Sequence, residues 1–257
     1  MNYIVSANTD VGTTKTTNQD SLSIRTINTA NGKIVFAILC DGMGGLSSGE
    51  LASATVVKAF IDWSENELPL LASAPIEDHV IKRQWDNIIS TQNEKIMNYG
   101  KRQGLKNGIG TTVVAILLTD VRYYIVNVGD SRAYEISSSL KQITEDQTIV
   151  AREVRLGNMT EEQAKHDPQK SVLLQCVGAS IEVAPDMFFG ETKQNAVYML
   201  CSDGFRHEIT TDEIWNCFNP GVLISAENMD NNAKYLIDLD KQRQEKDNIS
   251  VSLIRTF

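Results

Sequence analysis

Histidine is scarce in this sequence: His79, His166 and His207 are the only three, scattered through 257 residues. A metal site built here must therefore draw mainly on carboxylates. The four cysteines, Cys40, Cys176, Cys201 and Cys217, form no C-x-x-C pair, which suits neither a zinc site nor a dense disulfide scaffold and leaves reduced, half-buried thiols as the better reading. Proline occurs five times and nowhere in a linker-like cluster. Apolar runs such as Ile34 to Cys40 and Val113 to Leu118 fall far short of the ~20 residues a membrane helix needs, and Met1 to Asp20 is too polar for a signal peptide. Bases are outnumbered, 24 to 33, and a net charge of −9 disfavours a nucleic-acid binder, which needs a basic face. A cytoplasmic protein without membrane or nucleic-acid partners is expected.

What is present is an ordinary globular composition, 42% hydrophobic and 22% charged, long enough to bury roughly 70 to 75% of the surface that the unfolded chain exposes. Strand character marks Tyr3 to Ser6, Ser21 to Ile27, Lys33 to Cys40, Thr112 to Thr119, Arg122 to Val128, Arg132 to Ile136, Ala196 to Cys201 and Ile249 to Ile254. Asn31-Gly32 reads as a hairpin turn. Apolar residues at helical spacing run from Ala52 to Trp63 and from Ile81 to Ile96, and their aromatics are read as core. Further helices are expected at Thr211 to Phe218 and Asn231 to Lys241. The stretch 144–190 is polar and less periodic and reads as an insertion, with a short helix opening on the capping box Thr160-x-x-Gln163. With no internal repeat or linker, one domain over 1–257 is expected.

Five aspartates stand beside strand ends, most of them in tight turns: Asp20, Asp41, Asp130, Asp203 and Asp247. Carboxylates at the ends of rigid strands suit hard cations such as Mg²⁺ or Mn²⁺, which take oxygen ligands and keep several waters. Glycine after Asp41 and Asp203 lets the backbone come close, so that a main-chain carbonyl can join the coordination. Each Asp-Gly alone is first a turn signal. Gly44-Gly45 could cradle a phosphate but lacks the spacing of a nucleotide loop.

In order, Asn18-Gln19-Asp20, Asp41-Gly42-Met43-Gly44-Gly45, Gly110-Thr111-Thr112, Gly129-Asp130-Ser131-Arg132, Ser202-Asp203-Gly204 and Asp247-Asn248-Ile249 resemble the metal-dependent Ser/Thr phosphatases of the PPM or PP2C type in their compact bacterial form. The resemblance spans essentially the whole chain. It implies an α+β fold, a central β-sandwich of two antiparallel sheets flanked by helices, with two tightly bound Mn²⁺ or Mg²⁺ ions at one end. By matching motif, Asp41 with the Gly42 carbonyl would bridge the ions, Asp203 and Asp247 would complete one of them, and Asp20 would hold metal-bound water. Asp130 with Asp203 would carry a third, weaker ion, and 144–190 would be a flap beside the site. Asp41, Asp203 and Asp247 would thus be the catalytic set, presenting a metal-bridging hydroxide to phosphorus. Implied partners are phosphoserine and phosphothreonine proteins and a cognate Ser/Thr kinase; a monomer is expected.

Two residues depart from the family pattern. Lys15 stands where relatives usually have an arginine that grips substrate phosphate, and it can act as a point charge but not as a bidentate fork. Gln19 replaces a frequent glutamate. These departures motivate an alternative, a non-catalytic pseudophosphatase that binds a phosphoprotein or kinase; the intact aspartates oppose it, since clustered acids repel without a cation. A dispersed acid set also disfavours a calcium-binding loop. A cysteine phosphatase would need Cys-x₅-Arg, and Arg206 falls one position too early after Cys201. Leu236-Ile237-Asp238-Leu239-Asp240 imitates a D-x-D nucleophile motif but has helical periodicity. His166 is a possible proton donor to the leaving oxygen, with plain surface as its more ordinary reading. Arg152 and Arg155 are the next basic residues to consider as a phosphate clamp after Lys15.

Overall fold

A computed structural model describes residues 1–29, 31–44, 48–105 and 108–257. In chain order the elements are β1 (Tyr3–Asp10), β2 (Ser21–Thr29), β3 (Gly32–Cys40), β4 (Gly42–Met43), α1 (Gly49–Asn66), α2 (Leu68–Leu71), α3 (Asp78–Arg102), β5 (Gly110–Thr111), β6 (Val113–Leu118), β7 (Arg122–Val128), β8 (Arg132–Ile136) and β9 (Leu140–Gln142). They continue with α4 (Ile149–Arg155), α5 (Glu161–His166), β10 (Asp186–Glu191), β11 (Val197–Cys201), α6 (Thr211–Phe218), α7 (Ala226–Gln242) and β12 (Ile249–Thr256).

Two five-stranded sheets run β1-β12-β11-β8-β9 and β10-β7-β6-β3-β2, with every pairing antiparallel, and β4 pairs with β5 as a small ribbon. The period-2 alternation of strand side chains explains why β3 reads as continuously apolar. Phe36, Ile38 and Cys40 pack toward α1 and α3, against Val56, Phe60, Trp63 and Trp85. Val35, Ala37 and Leu39 turn to the other side, where they meet Ala133, Tyr198 and Leu200 of the opposite sheet. On the far side Met199, Cys201, Val251 and Leu253 pack against Phe218, Met229, Ala233 and Leu236 of α6 and α7. The layers are therefore helix, sheet, sheet, helix, as the resemblance implied, and each of the three interfaces between them is apolar. Burying one large apolar side chain contributes about 1.5 to 3 kcal/mol.

The aromatics read as core are core: ring centroids of Phe36 and Trp63, and of Trp63 and Trp85, lie 5.6 Å apart in edge-on geometry. The capping box at Thr160 is present, and a second one joins Thr210 to Glu213. No helix among the described residues is long and apolar enough to cross a membrane.

Several local features differ from the sequence reading. The polar stretch 144–190 supplies more than an insertion, because its last residues belong to β10, which pairs with β7 as the edge of a main sheet, and Val177 is buried in the core. It also holds α4, whose N-cap Thr148 accepts from Ala151 N–H. α7 starts at Ala226, five residues before the expected start, because the Ser225 side chain caps it by accepting from Asn228 N–H.

Candidate active site

All five aspartates project from strand ends or from turns beside them. Asp20 directly precedes β2, Asp41 links β3 to β4, Asp130 lies in the β7–β8 turn, Asp203 follows β11 and Asp247 precedes β12. Their charges act on one another: burial, and then the charges of Asp20, Asp203, Asp130 and Asp247, push the Asp41 carboxyl well above the usual range. Asp20 is raised to about 7 by burial, with Asp203 and Asp247 adding to the rise. Asp130 is also raised to about 7, by burial and by Asp203, while Arg206 pulls it down. The fold has thus brought together acids separated by up to 227 positions in sequence, and keeping them together without a counter-charge is costly.

Asp41 is held by its backbone. Its N–H donates to Thr112 Oγ1 at 2.9 Å, and its carbonyl accepts from Thr112 N–H at 2.9 Å and Thr111 Oγ1 at 2.9 Å. Thr112 Oγ1 in turn shares a hydrogen bond of 2.7 Å with Ser131 Oγ, beside Asp130. The Gly-Thr-Thr motif is therefore a clamp on the Asp41 backbone. A side chain at Gly42 would strike the carbonyl oxygens of Gly49 at 2.3 Å and Gln19 at 2.5 Å, so only glycine lets these three segments meet.

Asp203 and Asp247 are brought together by the same means. A Cβ on Gly204 would lie 2.2 Å from the Asn248 carbonyl oxygen. Asn248 then ties in the N-terminal loop: its amide donates to Val11 O at 2.9 Å, and its Oδ1 accepts from Gln19 N–H at 2.9 Å. Glu245 Oε1 accepts from Asp247 N–H at 2.8 Å, and its other oxygen faces His207 Nδ1 at 3.2 Å. His207 Nε2 stands 3.5 Å from Asp203 Oδ2, so one side chain bridges the two loops.

Lys15 Nζ lies 3.1 Å from Asp247 Oδ1, which places the departing residue at the edge of the aspartate cluster. Gln19 holds backbone: its amide donates to Gly44 O at 3.3 Å. Gly45, the second half of the possible phosphate cradle, lies outside the described residues. His166 is an exposed side chain of α5 beside Glu162, at 3.1 Å, and that contact lends no support to a proton-donor role. Arg152 and Arg155 pair with Glu153 and Glu145 on the exposed part of 144–190.

Sequence reasoning missed Arg206, His207 and Glu245. Arg206 arises there only as a failed cysteine-phosphatase arginine, whereas its Nη2 donates to the Asp130 carbonyl at 3.0 Å. The available signal was its position three residues after Asp203, within the same turn.

The donor set suits a hard divalent cation. Both carboxylate oxygens of Asp20 and Oδ1 of Asp203 are buried without a hydrogen-bond partner, and the hydroxyls of Ser250 and Ser202 moderate Asp20 without reaching bonding geometry. Buried acceptors of this kind call for a cation or water. Among the described residues, no three His, Cys, Asp or Glu side chains stand close enough to chelate one ion directly. Mg²⁺-type coordination through one or two carboxylates and several waters needs no such trio.

Residues 12–234 match the family model for Protein phosphatase 2C. This chain belongs to that family. It is 31% identical over 218 residues to serine/threonine phosphatase stp of Listeria welshimeri, covering 84% of this chain and 82% of that protein. Serine/threonine phosphatase Stp1 from Staphylococcus aureus superposes with a TM-score of 0.83 at 29% identity, over 98% of this chain and 94% of that one. The catalytic domain of serine/threonine protein phosphatase PstP, solved in complex with 2 manganese ions, superposes with a TM-score of 0.77 at 28% identity, over 99% of each chain. The family match ends before Asp247, whose place in the site therefore rests on the contacts of the Asp247–Asn248 loop.

Proposed function

We propose that this family member is a metal-dependent phosphoprotein phosphatase that hydrolyses phosphoserine and phosphothreonine esters at the five-aspartate cluster, with Mn²⁺ or Mg²⁺ as cofactor. The observation that carries the reading is the convergence of five acids, three of them pushed upward in pKa by burial and by one another, at one end of a rigid sandwich. A pair of divalent cations, when bound, activates water for in-line attack on phosphorus and neutralises the phosphoryl oxygens.

The chain's own residues supply position. Asp41, clamped by Thr111 and Thr112, and the Gly42 carbonyl would hold both ions. Asp203 and Asp247 would help hold the metal, with His207 and Glu245 bracing them. Asp20, with two unpartnered oxygens, would hold water bound to the metal. Lys15, a flexible cation already at the cluster, is assigned to the substrate phosphate, which would draw it away from Asp247. The complete acid set supports hydrolysis over the pseudophosphatase alternative. The proposal extends to a cytoplasmic monomer that reverses the action of a Ser/Thr kinase.

The test is hydrolysis of a phosphopeptide panel with Mn²⁺, with Mg²⁺ and with chelator. Activity should depend on millimolar-range metal and vanish on chelation. Turnover that survives exhaustive chelation would sink the two-metal reading.

A further inference from the structure

We propose that Arg206 is a resident cation at the Asp130 corner of the cluster, so that the wild-type chain binds two divalent ions and Asp130 recruits no third. The inference rests on the metal-dependent reading above.

The basic groups near the aspartates are not equivalent. Lys15 meets Asp247 through a pair in which both side chains are about 40% exposed, so solvent screens it and the lysine can swing away. His207 approaches Asp203 as a group that can be neutral. Arg206 differs in both respects: a guanidinium keeps its charge at any working pH, and this one is only 15% exposed.

Its geometry aims that charge at Asp130. Nη2 is anchored by donating to the Asp130 backbone carbonyl at 3.0 Å. The same nitrogen is 3.8 Å from Asp130 Oδ2 and 3.6 Å from Asp146 Oδ2, distances of ion pairing without a hydrogen bond. Asp146 is gripped from its other side by Arg132, through Nε to Oδ1 and Nη2 to Oδ2, both at 2.7 Å. The result is a half-buried line of alternating charge: Arg132, Asp146, Arg206, Asp130. Arg206 N–H also donates to Asp203 O at 2.9 Å, so the arm springs from the turn of the aspartate that would share a third ion with Asp130. A divalent cation arriving between Asp130 and Asp203 would face a fixed positive charge beside its own ligand. Asp20, Asp41, Asp203 and Asp247 have no arginine paired with them among the described residues, which leaves them to bind two ions.

The experiment is titration of the metal-stripped chain with Mn²⁺ by calorimetry, with free Mn²⁺ counted by electron paramagnetic resonance. Wild type should bind two ions. Arg206→Met, which keeps the apolar stem but removes the charge, should gain one weak site with a Kd on the order of 1 mM. Arg206→Lys, restoring a cation, and the double variant Arg206→Met/Asp130→Asn should each return to two. Three ions in wild type would overturn the proposal, and so would a folded Arg206→Met with an unchanged isotherm. An unchanged isotherm with a raised KM for phosphopeptide would overturn it by assigning Arg206 to substrate. If Arg206→Met does not fold by circular dichroism, Arg206→Gln carries the same expectation, and the wild-type count still stands as a test. A wild-type chain that binds no Mn²⁺ would bring down the metal-dependent reading itself, an outcome distinct from loss of the Arg206 proposal alone.

Discussion

The stretch 144–190 and the aspartate cluster are both rich in acids, and they treat them in opposite ways. In the first, Glu145, Glu153 and Glu162 sit on the surface beside Arg155, Arg152 and Lys165, and their neighbours hold Glu153 and Glu162 below the usual carboxylate range. In the second, Asp20 and Asp130 are buried and held near 7, and oxygens of Asp20 and Asp203 face no donor. Paired surface acids cost the fold little and contribute little. Buried acids that raise one another's pKa cost it stability, and their concentration at one place marks a site shaped for a ligand.

The strongest way to break this contrast is Asp41→Asn. Loss of the carboxylate assigned to the bridge should lower turnover by about 10³-fold or more, while circular dichroism stays native and the metal-free fold is no less stable, because a neutral amide replaces a carboxyl whose ionisation burial and its neighbours disfavour. A folded, metal-loaded variant near the wild-type rate would remove Asp41 from the bridge.

Lys15→Ala comes next. If Lys15 meets the substrate phosphate, steady-state kinetics at saturating Mn²⁺ should show KM raised about tenfold with kcat little changed, and Lys15→Arg should restore or lower KM. Unchanged constants in the alanine variant would leave Lys15 as a partner of Asp247 only.

Asp240 sharpens the comparison away from the cluster. It is a fully buried acid of α7 with both oxygens unpartnered, raised to about 8 by burial and by Glu245. Its folded pKa lies above its unfolded value near 3.8, so between about pH 4 and pH 8 the folded chain holds a proton that the unfolded chain has lost. Stability from this group is present below pH 4 and declines as pH rises toward 8. Asp240→Asn should therefore match wild type near pH 4 and exceed it by about 1 kcal/mol or more at pH 8 in denaturant melts. Equal pH slopes for the two proteins would refute the shift. The smallest effect is expected for Arg155→Ala, which breaks the exposed pair with Glu145 and should change stability by no more than about 0.5 kcal/mol. A larger loss would show that the surface pairs of this stretch also support the fold.

The five aspartates were legible in the sequence because each lies in a short local signature at a strand end and the signatures come in a fixed order. The sandwich was legible through the same ordered signatures, which carry the family resemblance, and the apolar run of β3 marked a strand covered on both sides. What escaped was whatever depends on contacts between distant segments. The clamp of Thr111 and Thr112 on Asp41 spans about seventy residues, and the reach of Arg206 to Asp130 spans 76. β10 escaped for a different reason: Asp186–Glu191 is a half-buried edge strand inside a polar stretch, and its two phenylalanines alone give too short a pattern to read.

The position of β3 bears on how the site moves. This strand contributes one set of side chains to the layer under α1 and α3 and the other to the layer between the sheets, and it runs straight into Asp41. Its central amides cannot open to solvent without dismantling two layers together, so they should exchange hydrogen only on the timescale of global unfolding, while those of α5 exchange through local fraying. Fluctuations around the aspartate end would then be carried by the loops that bring Lys15, Arg206 and Asp247 to a stationary Asp41.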